Sequence, residues 1–162
     1  MDSIGVKPGM IIGEAGAGEG YFTLPLARRV GEKGGVYAND IDEDDLEELQ
    51  ENAEDEGLDN IEIVVGKVED PLFPRNDLDM IIMVYVIHHL DEAIQFFENL
   101  KKYMKPGAPL VIIERNTDGK KGDTHFMPRE DIFELMGKSN YTLERMLTFL
   151  EKDTIYIYKV EE

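Results

Sequence analysis

The stretch that decides the fold is Met10-Ile11-Ile12-Gly13-Glu14-Ala15-Gly16-Ala17-Gly18-Glu19-Gly20. Its first half is short and apolar, as a buried strand is, and it runs directly into alternating glycines. Glycine permits a tight turn, a positive φ and close approach of the backbone to a ligand. Beyond the loop a helix beginning near Glu19 is expected, with Phe22, Leu26 and Val30 at i, i+4 and i+8 on its apolar face. Strand, glycine loop and helix in that order open a βαβ unit. Loops at the carboxyl ends of parallel strands are where such sheets bind ligands.

Working outward, the same alternation continues. Residues 36–40 read as a second strand, and residues 43–56 as an acidic amphipathic helix with Leu46, Leu49 and Ala53 on one face. Residues 61–65 form a third strand. Residues 78–85 are almost wholly apolar, as a central strand covered on both faces must be. Ala93, Phe97, Leu100 and Met104 make another helical stripe, and residues 110–114 a fifth strand. A polar loop over 115–127 precedes a helix with Pro128 at its start and Ile132, Leu135 and Met136 on its apolar side. Two β-rich runs, 142–149 and 154–160, close the chain as an antiparallel hairpin. Repeated βαβ units give an α/β fold: a parallel sheet, helices on both faces, right-handed crossovers. The terminal hairpin is the unusual element, because a dinucleotide-binding fold continues with parallel strands.

The chain has 162 residues, which suits one domain over 1–162. Asp and Glu number 35 against 17 Lys and Arg, a net charge of −18. Such a field repels phosphate backbones, so no nucleic-acid partner is expected. Most of these carboxylates read as a solvated surface. No apolar stretch approaches the ~20 residues that span a bilayer, so no membrane insertion is expected. With no apolar leader, the expected location is cytoplasmic. There is no cysteine, hence no disulfide, thiolate metal site or cysteine nucleophile.

The loop is not an NAD fingerprint. That needs G-x-G-x-x-G, and the position three after Gly18 is Tyr21. A pyrophosphate would also sit poorly between Glu14 and Glu19. A cationic amine or sulfonium suits Glu14 better. Asp40 ends the second strand, about where an acid takes ribose hydroxyls in nucleotide-binding sheets. Adenosine plus a positive charge, without phosphates, describes S-adenosylmethionine.

At this point the sequence resembles the class I S-adenosylmethionine-dependent methyltransferases, in particular the group around ubiquinone and menaquinone biosynthesis. Gly13 to Gly20 is similar to the first motif of that family, with Glu14, Ala15, Gly16, Ala17, Gly18 and Gly20 as the implied cofactor cradle. Asp40, followed by Ile41, stands at the implied ribose position. Lys67, Val68 and Glu69 stand where the family contacts adenine. Met83 to Leu90 matches the fourth-strand motif, whose backbone at Val84 and Tyr85 lines the methionine moiety. The resemblance implies strand order 3-2-1-4-5-7-6 with strand 7 antiparallel, and so accounts for the hairpin. Lys67 departs from the family, which often places Asp there; Glu69 or Asp70 is the alternative acid. The first strand also begins within about ten residues of Met1. The reading is therefore of a domain without the N-terminal helices that cover the acceptor pocket elsewhere, leaving the site open or closed by a second subunit, as in a homodimer.

Methyl transfer is an in-line displacement, in which alignment supplies much of the rate and a base is needed for a weak nucleophile. The candidate catalytic residues are His88, His89 and Glu114, with Tyr85 and His125 as further bases. Adjacent residues diverge, so one histidine of the pair is expected to face the crevice, and the pair is not read as a metal site. Glu114 reads equally as an acceptor contact or a residue of the solvent rim. Arg115, Lys120, Lys121 and His125 make the loop over 115–127 basic, able to gate the site or draw in an anionic acceptor. The expected function is methyl transfer to a small-molecule acceptor. A catalytically silent cofactor-binding module of the same fold is the alternative.

Overall fold

The computed structural model describes residues 1–117 and 125–160. Lys120 and Lys121 of the basic loop lie outside them. Seven strands form one sheet: β1 (Ile11–Ala15), β2 (Gly35–Asp40), β3 (Ile61–Val65), β4 (Met80–Val84), β5 (Leu110–Arg115), β6 (Tyr141–Leu147) and β7 (Asp153–Val160). Their order is β3-β2-β1-β4-β5-β7-β6. β1 to β5 pair in parallel, and β7 runs antiparallel to both β5 and β6. This is the topology expected from the sequence.

Why the sheet is buried on both faces is plain at β4. Met80 and Ile82 point to one side and Ile81 and Met83 to the other, as the period of two requires, and all four are buried. Met80 and Ile82 join Ile12, Val36 and Val111 under α1 (Thr23–Val30) through Leu26, Ala27 and Val30. Ile81 and Met83 join Phe97 and Leu100 of α3 (Ala93–Leu100) and Ile132 and Met136 of α4 (Arg129–Lys138). α2 (Glu43–Asp55) seals Leu46 and Leu49 against Ala38 of β2. Its start is fixed by Asp42, whose carboxylate accepts from the amides of Asp44 at 3.0 Å and Asp45 at 3.4 Å.

Several boundaries differ from the sequence reading, among them the first hairpin strand, which ends at Leu147 rather than 149. α1 begins at Thr23, not near Glu19, because the residues between close as turns, with Gly20 N–H bonded to Ala17 O. β4 is shorter than 78–85. Leu78 instead bridges Met104, and Tyr85 leaves the strand with a φ of 58°. The third helix stops at Leu100 and tightens into a single 3-10 turn, Lys101–Tyr103. No helix among the described residues is long and apolar enough to cross a membrane.

Candidate functional site: a crevice at the carboxyl ends of the strands

β1 has β2 on one side and β4 on the other, so the chain crosses over in opposite senses from it. The crevice this opens is the expected ligand position of an open parallel sheet. It holds a cavity of about 740 Å³ that runs from Asp40 and Val68 past Glu14 to His89.

The glycine loop forms the floor. Amides of Gly16 and Ala17 both donate to Asn39 O at 2.8 Å, folding the loop back over β2. Gly16 has a φ of 78°, and a Cβ there would lie 2.2 Å from Val86 Cγ2. Only glycine fits. Gly18 N–H points at Asp40 Oδ2, 2.9 Å away, while Asp40 Oδ1 accepts from Ile41 N–H at 2.7 Å. Asp40 therefore ties the loop to the end of β2 and still offers lone pairs to a ligand.

Glu14 sits beneath the loop and is 1% exposed. Its Oε2 meets no hydrogen-bond donor among the described residues. Burial pushes its pKa up to about 8; the Thr23 hydroxyl opposes this, and the charge of Asp40 adds to it. A buried acid with one unanswered oxygen is suited to a cationic group. At the other rim, Asp40, Asp42, Asp45 and Glu19 crowd together, and Asp45 is held above the usual carboxylate range by burial and by the charges of its acidic neighbours. Phosphate groups are disfavoured there. Ile41 and Val68, both largely exposed, line the same end and present two apolar surfaces for a flat ring.

The opposite end is aromatic. His88 turns inward, and its Nδ1 lies 2.7 Å from Oε2 of Glu114, whose Oε1 accepts from Arg115 N–H at 2.8 Å. Glu114 is fully buried, so it is not on a solvent rim as one sequence reading had it. Its place near the end of β5, opposite Thr154 of β7, removes it from water. His89 lines the cavity, and its pKa is lowered by burial and by the charges of His88 and His125. The two adjacent histidine rings lie 4.1 Å apart, and His125 comes within 5.0 Å of His88. Sequence reasoning named His125 as a base and as part of the basic loop, not as a neighbour of the pair; residues 36 apart in the chain carry no spacing signal. Tyr85 carries Arg115 over its ring at 5.2 Å, and burial, with Asp153 beside it, pushes its phenol up to about 12. That makes Tyr85 a wall rather than a base at neutral pH.

Of the residues anticipated for the cofactor, Glu14, Gly16, Ala17, Gly18, Asp40, Ile41, Lys67, Val68, Val84 and Tyr85 line this cavity. Ala15 and Gly20 stand behind it: Ala15 is buried in the core, and a Cβ on Gly20 would meet Leu49 Cγ at 2.9 Å. Glu69 is not among the lining residues, and its carbonyl accepts from Asn99 at 2.8 Å. Asp70, the other alternative acid, is buried and bonded to Lys102 and to Tyr103 OH. Those partners hold its carboxyl below the usual range against the cost of burial. Asn39, Asp42, Asp45 and Phe96 line the crevice and were not anticipated. Asp42 and Asp45 follow Asp40 so closely that the acidic run read only as a helix start.

Residues 12–107 match the methyltransferase domain family. The chain belongs to this family of S-adenosylmethionine-dependent methyltransferases. A solved structure, a SAM-dependent methyltransferase from Aquifex aeolicus, superposes with a TM-score of 0.85 at 27% identity over 97% of this chain and 85% of the other. Among curated relatives, ubiquinone/menaquinone biosynthesis C-methyltransferase UbiE of Shewanella sediminis is 29% identical over 70% of the chain, and that of Vibrio cholerae 30% over the same share. The chain spans less than half the length of these relatives, 46% and 44%. The residues present fit the family's cofactor. The donor set is a buried carboxylate for an ammonium, an acid at the end of β2 for hydroxyls, and a glycine cradle that any Cβ at Gly16 would fill.

Proposed function

We propose that this chain transfers a methyl group from S-adenosylmethionine to a carbon of a small, hydroxylated ring. The observation that carries the reading is the single cavity joining the buried carboxylate of Glu14 at one end to the His89 ring at the other. When bound, the cofactor supplies a methyl group already activated by a sulfonium.

The chain's own residues do the rest. Glu14 holds an ammonium as a desolvated ion pair. Asp40 accepts from hydroxyls while fixed by Gly18 and Ile41. Ile41 and Val68 enclose a flat base, and Lys67 leaves that end without the acid common elsewhere. At the acceptor end, Tyr85, Leu90 and Phe96 favour a ring over a charged polar group. His89 faces that ring, and its lowered pKa keeps the imidazole neutral near pH 7, with a lone pair for the acceptor's hydroxyl. His88 and Glu114 act behind it as positioning residues, and both belong to the reaction in this reading. The ring class rests on the curated relatives, which are named as quinone-pathway C-methyltransferases.

The test is calorimetric titration with S-adenosylmethionine and S-adenosylhomocysteine, followed by transfer of labelled methyl to a panel of hydroxylated aromatic acceptors. Micromolar binding and label on carbon are the expected results. Binding with no transfer to any acceptor would favour a silent cofactor-binding module, and no binding would reject the reading.

A further inference from the structure

The histidine cluster is more than the two adjacent residues of the β4 motif. His88, His89 and His125 each place one ring nitrogen within 4.8 Å of the other two. Two of the rings come from the 3-10 turn after β4, and the third from the far side of the loop that follows β5. A tetrahedral zinc-class ion with Zn–N bonds near 2.1 Å needs nitrogens about 3.4 Å apart. From separations of up to 4.8 Å the nitrogens must close by about 1.4 Å, and His89 and His125 are the two more exposed of the three residues.

The fixed member is His88, whose side chain is 4% exposed. Glu114, fully buried, engages its Nδ1 at 2.7 Å, so Nε2 is the nitrogen it presents to an ion. A metal-binding imidazole that gives its other nitrogen to a carboxylate is held in orientation and made more basic. Neutral imidazoles are the ligands that borderline divalent ions prefer, while hard ions such as magnesium want oxygen. The chain's net charge of −18 raises the local concentration of any cation.

We propose that His88, His89 and His125 form a three-imidazole site for a zinc-class divalent ion, opening on the acceptor end of the crevice. Three protein ligands leave a fourth position, which is the arrangement of a reactive rather than a structural site. His89 lines the cavity, so the site borders the crevice through that ring. With the ion bound, His89 would be a ligand rather than the base, and the ion would take over the task of lowering the hydroxyl's pKa: an acceptor hydroxyl in the fourth position would lose its proton to solvent water and stay on the ion as an alkoxide or phenolate, with no electron transferred. The acceptor class narrows to molecules with an oxygen donor beside the methylated carbon. This narrowing rests on the methyl-transfer reading, whereas the ion site does not.

The experiment uses tag-free full chain stripped with a chelator. Titration with Co²⁺ is followed by visible absorption, and Zn²⁺ stoichiometry is measured by equilibrium dialysis. One ion per chain with the absorption of tetrahedral cobalt is expected, and His125→Ala should weaken binding at least about tenfold. His89→Ala serves as a second exposed ligand variant, and circular dichroism checks the fold of both. Titration with S-adenosylmethionine runs in parallel on wild type and His125→Ala, where equal affinity is expected. No stoichiometric ion, or equal ion binding by both variants and wild type, overturns the site and marks the three rings as an aromatic cluster, with His88 and His125 against Phe126. Ion binding without cofactor binding would keep the site and reject the methyl-transfer reading; the reverse outcome would do the opposite.

Discussion

The carboxylate of Asp40 and the amide of Gly18 meet at 2.9 Å across 22 residues of chain, and that bond couples the end of β2 to the glycine loop. One side chain thus does two things: it shapes the loop and it presents oxygen to a ligand. Asp40→Asn keeps the size and removes the charge. A hydrogen bond to a charged group is worth about 1.5–3 kcal/mol. Cofactor affinity should fall about tenfold to a hundredfold, measured by calorimetry, with the melting temperature changed little.

Gly16→Ala is expected to be severe and Gly18→Ala mild. At Gly16 the new methyl would lie 2.2 Å from Val86 Cγ2 at a φ of 78°, whereas at Gly18 the nearest atom is Asp45 Oδ2 at 3.9 Å. Overpacking typically costs about 1–3 kcal/mol. Chemical denaturation should place Gly16→Ala in that range. Adding Val86→Ala should recover part of the loss, since it removes the clashing methyl groups but not the strained φ. Equal effects at both glycines would refute the steric account.

Glu14 sets a pH dependence. Its carboxyl is raised from 4.5 to about 8 in the folded chain, so between those values the folded state holds a proton that the unfolded state has released. Folding stability therefore falls as pH rises from 4.5 to 8 and levels off above. Glu14→Gln removes that slope, and should be more stable than wild type at pH 8 and about equal near pH 4.5. A cationic ligand ionises Glu14, so cofactor binding at pH 6–7 should release a proton. Calorimetry in two buffers of different ionisation heat measures it, and Glu14→Gln should release none.

Glu114→Gln probes the acceptor end. The amide keeps the shape but no longer accepts fully at both oxygens, which serve His88 and Arg115 N–H. Turnover should fall about a hundredfold while cofactor affinity stays within about twofold, the signature of a group that acts at the reacting end. A matching loss of cofactor affinity would mean that the residue holds the fold instead.

Much of this was legible in the sequence because local rules carried it. The four buried residues Met80 to Met83 announced a two-sided strand, and the glycines announced the loop. The hairpin, odd for a dinucleotide fold, became intelligible once the motifs suggested the family. What stayed hidden was decided by contacts distant in sequence. The burial of Glu114 depends on β7 covering β5, and its bond to His88 spans 26 residues. His125 meets a pair that lies 36 residues earlier in the chain, and no spacing rule links them. Asp70 looked available for adenine until Tyr103 and Lys102 claimed it from the 3-10 turn that follows α3. The early start assigned to α1 failed because glycine-rich turns mimic the composition of a helix start without its geometry.

The seam between β1 and β4 has a kinetic consequence. Ile12 pairs with Met80 and Glu14 with Ile82, partners separated by 68 residues, whereas β6 and β7 are neighbours in the chain. Closing a long loop delays contact, so the hairpin is expected to form early and the seam late. The crevice exists only once that seam has zipped. Opening it would be the low-energy route to losing the site without unfolding the rest, and amide hydrogen exchange at the β1–β4 pairs should slow when the crevice is filled.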